Sequence, residues 1–206
     1  MKMKILVFNS GGGSGFQELV ENSKTGILQA EIVALVTNKA IYSCVERAKK
    51  LGIPVIVMNK FEEEDYKKII DQFKPDFICL SGWLKLTKGL DPKKTINIHP
   101  GPIERFGGKG MFGHHVHDAV ITAYKRGEVT ESAVCMHFVT EEYDEGTVFF
   151  RYPILIRKED TAETLGDRVN KIEHGWQSYI TNLILNGDIY LNDDGTITVP
   201  KWYKFV

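Results

Sequence analysis

Two stretches of this sequence carry, between them, the three residue types needed to run an acyl transfer. Asn97 and His99 stand at alternate positions in Thr95-Ile-Asn-Ile-His-Pro-Gly-Pro102, and Asp144 sits in the carboxylate-rich segment Thr140-Glu-Glu-Tyr-Asp-Glu-Gly146. Polarising a carbonyl and moving the protons of its tetrahedral intermediate takes a hydrogen-bond donor, a group that can hold a proton near neutral pH, and a carboxylate to stabilise that group. An amide, an imidazole and an acid have those capacities. Such residues also serve as ordinary partners of the backbone at strand ends and turns, so their types alone leave both readings open.

A second candidate is the Gly-rich turn Asn9-Ser-Gly-Gly-Gly-Ser-Gly15. Backbone amides at Gly12 to Gly15, free of side-chain bulk and opening a helix, could cradle a phosphate. The turn lacks the Lys-Ser/Thr pair of a P-loop and the G-x-G-x-x-G spacing of a dinucleotide site, and a tight strand-to-helix turn without a ligand accounts for it equally well. A third candidate is Gly113-His-His-Val-His117, all six histidines lying from His99 onward. His114 and His117 are one helical turn apart, but no H-E-x-x-H pattern or cysteine pair accompanies them, so exposed or substrate-facing imidazoles are expected rather than a metal site.

Elements must hold these groups. Lys4 to Phe8, Glu31 to Thr37, Pro54 to Met58 and Asp76 to Leu80 read as buried strands, separated by helical patterns that follow Gly15, span Tyr42 to Leu51, and span Phe61 to Phe73. Such βα alternation argues for a parallel sheet. Thr95 to Ile98 is a further strand; period-two alternation sends Asn97 and His99 to one face, and Pro100 ends the strand at once. Phe106 to Gly113 reads as a loop, His114 to Lys125 as a helix, Ser132 to Val139 and Thr147 to Ile156 as two strands, and Thr161 to Leu185 as a long helix with Thr161 its N-cap. Ile189 to Val199 resembles a β-hairpin.

Composition bounds the partners. The 206 residues are 43% hydrophobic and 26% charged, and 26 basic against 27 acidic residues give a net charge of -1, so nothing draws the chain to nucleic acid or an anionic membrane. Small-molecule substrates are expected. No apolar run approaches the length of a membrane span, and Met1 to Gly15 reads as a strand entering its turn rather than a signal peptide, which points to the cytoplasm. Cys44, Cys79 and Cys135 are set among apolar residues and read as buried free thiols.

The order of these features resembles the formyltetrahydrofolate-dependent formyltransferases, and among them the members that formylate glycinamide ribonucleotide. Ser10-Gly-Gly-Gly-Ser14 after the first strand, Asn97-Ile-His99-Pro100, His137-Phe-Val-Thr-Glu-Glu-Tyr-Asp144-Glu-Gly146 and Glu173-His174 carry the likeness. It implies an α/β fold: an open, mostly parallel twisted sheet with helices on both faces and an antiparallel C-terminal portion. It also implies one formyltransferase domain over 1–206, with a nucleotide-binding-like half (1–100), a catalytic and folate-binding half (101–188) and a C-terminal hairpin or tail (189–206). Asn97, His99 and Asp144 are then catalytic, with Asp144 raising the pKa of a protonated His99. The co-substrate 10-formyltetrahydrofolate falls to Leu84, Lys85, Leu86, Thr87, Asn97, Thr140, Glu141, Glu142, Tyr143 and Asp144. A phosphorylated amino-ribonucleotide falls to Gly13, Ser14, Gly15, Asn170 and Glu173. Formyl transfer is direct, and no metal is expected.

The sequence also departs from that family. Gly15 stands where the phosphate turn commonly carries Asn, Phe61-Glu-Glu-Glu-Asp65 is acidic where an Arg is expected, and Lys85 replaces an Arg. The segment Gly101 to Gly113 is divergent and reads as a substrate-side loop in which Arg105 or Lys109 could supply charge for a phosphate. Three alternatives follow: a formyltransferase for an amino sugar or another small amine, a formyltetrahydrofolate hydrolase, and a non-catalytic folate-binding module.

Overall fold

The computed structural model describes residues 2–206. Strands β1 (Met3–Phe8), β2 (Ala30–Thr37), β3 (Val55–Val57) and β4 (Phe77–Leu80) alternate with helices α1 (Ser14–Thr25), α2 (Ser43–Leu51) and α3 (Glu63–Phe73). Together with β5 (Thr95–His99), β6 (Glu131–Phe138) and β7 (Val148–Leu155) they build one seven-stranded sheet in the order β3-β2-β1-β4-β5-β6-β7. The first five strands run parallel, and β6 and β7 are antiparallel, as the sequence implies. The chain winds outward from β1 to β3, then crosses back to place β4 on the other side of β1. That reversal opens a crevice at the carboxyl ends of β1 and β4, where ligands of open α/β sheets bind.

Alternation in β1 shows why both faces are covered. Ile5 and Val7 join one core with α1, α2, α5 (His114–Lys125) and α6 (Ala162–Leu185), whereas Leu6 and Phe8 join the other with Tyr66 and Ile69 of α3. A strand buried on both faces reads as a continuous apolar run, which is what Ile5 to Phe8 is. Thr161 caps α6 by accepting from Thr164 N at 3.2 Å.

One element is absent from the sequence reading. Ile103–Phe106 forms the short helix α4 inside the stretch after β5. Its two apolar residues, one turn apart, are both buried, and tertiary packing holds a turn too short to show a period. The tail forms the expected hairpin from β8 (Tyr190–Leu191) and β9 (Ile197–Thr198), then returns along the outer edge of β7. There Arg151 N donates to Phe205 O at 2.6 Å and Tyr203 Oη to Phe149 O at 2.7 Å, so the open edge is blunted. No helix among the described residues is long and apolar enough to cross a membrane. All three cysteines are free and buried.

Candidate active site

β5 carries Asn97 and His99 to its carboxyl end on one face, and the antiparallel register sets His137 of β6 directly opposite Asn97. The β6–β7 connection then turns back over them. Asp144 lies at its tip with φ 59°, a left-handed conformation that Asp tolerates better than most residues. The three expected catalytic groups meet there: Asn97 Nδ2 donates to Asp144 Oδ1 at 3.4 Å, and His99 Nδ1 faces Asp144 Oδ2 at 3.6 Å. Gly108 N donates to the same Oδ2 at 2.8 Å.

The network assigns the tautomers. His99 Nε2 lies 2.9 Å from Phe106 O and His137 Nδ1 lies 2.8 Å from Phe138 O, so each of those nitrogens carries a proton to donate. His137 Nε2 is then the acceptor for Asn97 Nδ2 at 2.9 Å, which turns the NH₂ of Asn97 toward Asp144 and not its carbonyl. The sequence reading did not assign His137 a role. Its one local signal is a lone imidazole in the buried run Ala133 to Phe138; its contact with Asn97 depends on strand register, which local pattern does not give.

Electrostatics corrects one expectation. Burial pushes the His99 imidazole below its ordinary value, and the attraction of Asp144 opposes this without offsetting it, so His99 rests neutral at neutral pH rather than protonated. For Asp144 burial acts upward, but the His137 ring, whose Nε2 lies 3.4 Å from Oδ1, and the His99 ring, each in its form with a second proton, together with the Gly108 N–H outweigh it and hold the carboxyl below its usual range. His99 Nδ1 is therefore an unprotonated site facing a carboxylate. It is set to take a proton and be stabilised as the imidazolium.

Asn97, His99 and Asp144 line a cavity of about 1030 Å³ that runs from the Gly-rich turn past α5 and α6. Gly13, Ser14, Gly15, Asn170 and Glu173 line it too, Asn170 Nδ2 lying 3.4 Å from Ser14 Oγ and 3.5 Å from Glu173 Oε2. Leu84 lines this cavity. Lys85, Leu86, Thr87, Thr140, Glu142 and Tyr143 surround a narrow cleft of about 40 Å³ that adjoins it at Asn97 and Asp144. Glu141 lies apart from both, its carboxylate accepting from Gly89 N at 2.9 Å.

The divergent segments also find places. The acidic run after Phe61 is the start of α3: Glu62 and Asp65 form a capping box, and Glu62 pairs with Lys88 at 2.6 Å, uses that suit the positive end of a helix. Lys85 Nζ lies over the Phe61 ring at 5.3 Å. Arg105 is turned away and paired with Glu128, whereas Lys109 lines the cavity. The three histidines of α5 divide: His114 pairs with Asp118 at 2.9 Å, His115 packs edge-on to Phe112, and buried His117 lines the cavity with its pKa pushed down to about 4 by burial. Among the described residues no three His, Cys, Asp or Glu side chains converge as a metal site.

Burial pushes the Glu173 carboxyl up to about 7. A carboxyl whose folded pKa exceeds its unfolded one binds more protons when folded, so its ionisation costs stability as pH rises through that window and the full cost stands above the folded value. Water in the open cavity screens the charge, leaving a penalty on the order of 1–2 kcal/mol. Glu173→Gln is accordingly expected to melt about 3–6 °C above the parent at about pH 8 and to match it near pH 4. Equal melting temperatures at both pH values would show that Glu173 is not held out of water.

Known proteins agree with this architecture. The sequence profile of the family described as Formyl transferase matches residues 3–183. The phosphoribosylglycinamide formyltransferase of Arabidopsis thaliana chloroplasts is 34% identical over 94% of this chain and 69% of its own length. The corresponding Vigna unguiculata protein is 35% identical over 94% of this chain, which spans 64% of that protein. The crystal structure of phosphoribosylglycinamide formyltransferase from Anaplasma phagocytophilum superposes with a TM-score of 0.82 at 26% identity, covering 100% of this chain and 98% of the other. With that profile matching residues 3–183 of its 206, this chain belongs to the formyl transferase family.

Proposed function

We propose that this chain transfers the formyl group of 10-formyltetrahydrofolate to the amine of glycinamide ribonucleotide, a step of purine biosynthesis, and that residues 1–206 act as one catalytic unit. The observation that carries the reading is the meeting of Asn97, His99 and Asp144 where a narrow cleft joins a larger cavity, so that two substrates entering from either side would share one reacting centre. The larger cavity suits a phosphorylated ribonucleotide, with α1 amides at one end and the Glu173 carboxyl for hydroxyls. The cleft, lined by Leu86, Thr87, Thr140 and Tyr143, is the side assigned to the reduced folate.

The chemistry needs no covalent enzyme intermediate. The amine adds to the formyl carbon, forming a C–N bond and an oxyanion, to which Asn97 Nδ2 donates by releasing its long contact with Asp144. The attacking nitrogen, now cationic, gives up a proton to His99, whose imidazolium Asp144 stabilises. As the carbonyl re-forms, the bond to N10 breaks and N10 takes that proton, leaving formylated amine and tetrahydrofolate. Buried free thiols fit a reducing cytoplasmic setting, and a net charge of -1 favours small substrates over a polyanion.

Incubation with 10-formyltetrahydrofolate and glycinamide ribonucleotide, amino sugars or water alone is the direct test, read by mass spectrometry of the acceptor and release of tetrahydrofolate. Formylation of the ribonucleotide is expected, with negligible release in water. Formylation of a sugar in its place would overturn the acceptor assignment, and release in water alone would make the protein a hydrolase.

A further inference from the structure

At the first turn of α1 the cavity holds polar side-chain atoms that the protein itself leaves unused. Gln177, on α6 one turn beyond Glu173, is only 2% exposed and lines the cavity. Its backbone carbonyl accepts from Thr181 Oγ1 at 2.7 Å, but its side-chain amide makes no hydrogen bond among the described residues. Ser81, 6% exposed at the end of β4, likewise lines the cavity with a hydroxyl that has no partner among them. Both converge on Gly15: a Cβ there would stand 2.6 Å from Ser81 Oγ and 3.3 Å from Gln177 Oε1. Position 15 is bare because those two groups occupy the space a side chain would take.

The Gln177 amide and the Ser81 hydroxyl thus open onto the cavity beside a helix terminus with no partner among the described residues, and both are free to bind a ligand there. Gly13 begins α1 with no side-chain cap, which leaves the first-turn amides free and the positive end of the helix open to the cavity. Arg47 is engaged elsewhere, donating to Gly12 O at 2.9 Å and to Gln17. Neutral donors gather at this turn: the α1 amides, the Ser81 hydroxyl and, after rotation of its terminal torsion, Gln177 Nε2. That set matches the oxygens of a phosphate monoester.

We propose that Gln177, with Ser81, binds the phosphate of the acceptor, supplying from α6 the side-chain donor that Gly15 cannot. This rests on the reading that the acceptor is a phosphorylated ribonucleotide, but it is testable apart from catalysis. Ribose 5-phosphate is the probe, titrated calorimetrically into the parent, Gln177→Leu and the isosteric Gln177→Glu at about pH 8, with folding checked by circular dichroism. The parent binds the probe and ignores unphosphorylated ribose; the Leu variant binds about tenfold more weakly, and the Glu variant more weakly still. In turnover, Gln177→Leu raises KM for the ribonucleotide by a similar factor and leaves KM for 10-formyltetrahydrofolate unchanged. Should Leu prove unfolded, the Glu variant decides alone. Binding by the folded variants within twofold of the parent, or a parent that does not bind ribose 5-phosphate, overturns the proposal. Gln177-dependent binding of the probe in a protein that does not formylate glycinamide ribonucleotide would sustain the subsite and remove the acceptor reading.

Discussion

Asp144→Asn is expected to lower kcat by about 10²–10⁴ while KM for each substrate stays within about threefold and the melting temperature holds. The substitution is nearly isosteric, and the left-handed backbone of position 144, φ 59°, suits Asn at least as well as Asp, so the turn keeps its shape. What changes is the atom facing His99 Nδ1 at 3.6 Å. An amide nitrogen there donates to the imidazole lone pair and stabilises the neutral ring, whereas the carboxylate stabilises the imidazolium that forms as the amine loses its proton. An Asn that turns its carbonyl to His99 instead presents its NH₂ to the Asn97 NH₂, donor against donor. Either orientation breaks one half of the trio. The pH profile separates this loss from a packing defect: parent activity should rise with pH through a His99 pKa below the ordinary histidine value and then level off, and the variant should lose that limb along with its rate. A variant that retains kcat within tenfold and the same acidic limb would remove Asp144 from the proton path.

The contrast between what local pattern carries and what it does not runs through this same site. Apolar runs and their alternation locate every strand of the sheet to within a residue or two, because burial on one or both faces imposes the period directly. Period two also puts Asn97 and His99 on one face. The partners of those residues come from elsewhere: His137 reaches Asn97 through the register of an antiparallel pair, and Asp144 through a turn whose tip folds back over β5. Register is a non-local property, set where the β6 alternation meets the core, and no window of sequence contains it. The resting charge of His99 is legible still less, since it turns on how deeply the fold buries the ring, a burial that outweighs the pull of Asp144 and of the Phe106 carbonyl in α4. Four residues of helix leave no period to read. Gly15 shows the same limit from the other side: sequence registers a missing side chain, and only the fold brings Gln177 into its place.

Gly146→Ala is expected to cost at least about 3 kcal/mol and to abolish activity in whatever fraction remains folded, because the residue closes the turn that carries Asp144. A Cβ at 146 would fall inside the contact radius of Phe138 O, 2.7 Å from its carbonyl carbon and 3.2 Å from His137 Nδ1. Both neighbours are fixed. Phe138 N donates to Thr147 O at 3.0 Å, and Phe138 O accepts from His137 Nδ1 at 2.8 Å, so neither can retreat without opening the strand pair or releasing the tautomer that orients Asn97. Relief by moving the turn would carry Asp144 away from His99. Gly175→Ala is the control: it lies inside α6 with nothing within 4 Å of a new Cβ, and should stabilise the protein by about 0.5–1 kcal/mol through helix propensity. For a chain of this size the pair should differ by roughly 7–16 °C in melting temperature, with opposite signs about the parent. If Gly146→Ala melts with the parent and retains turnover, the β6–β7 turn is compliant, and the clamp of Asp144 on His99 and Asn97 does not depend on how closely that turn packs against Phe138.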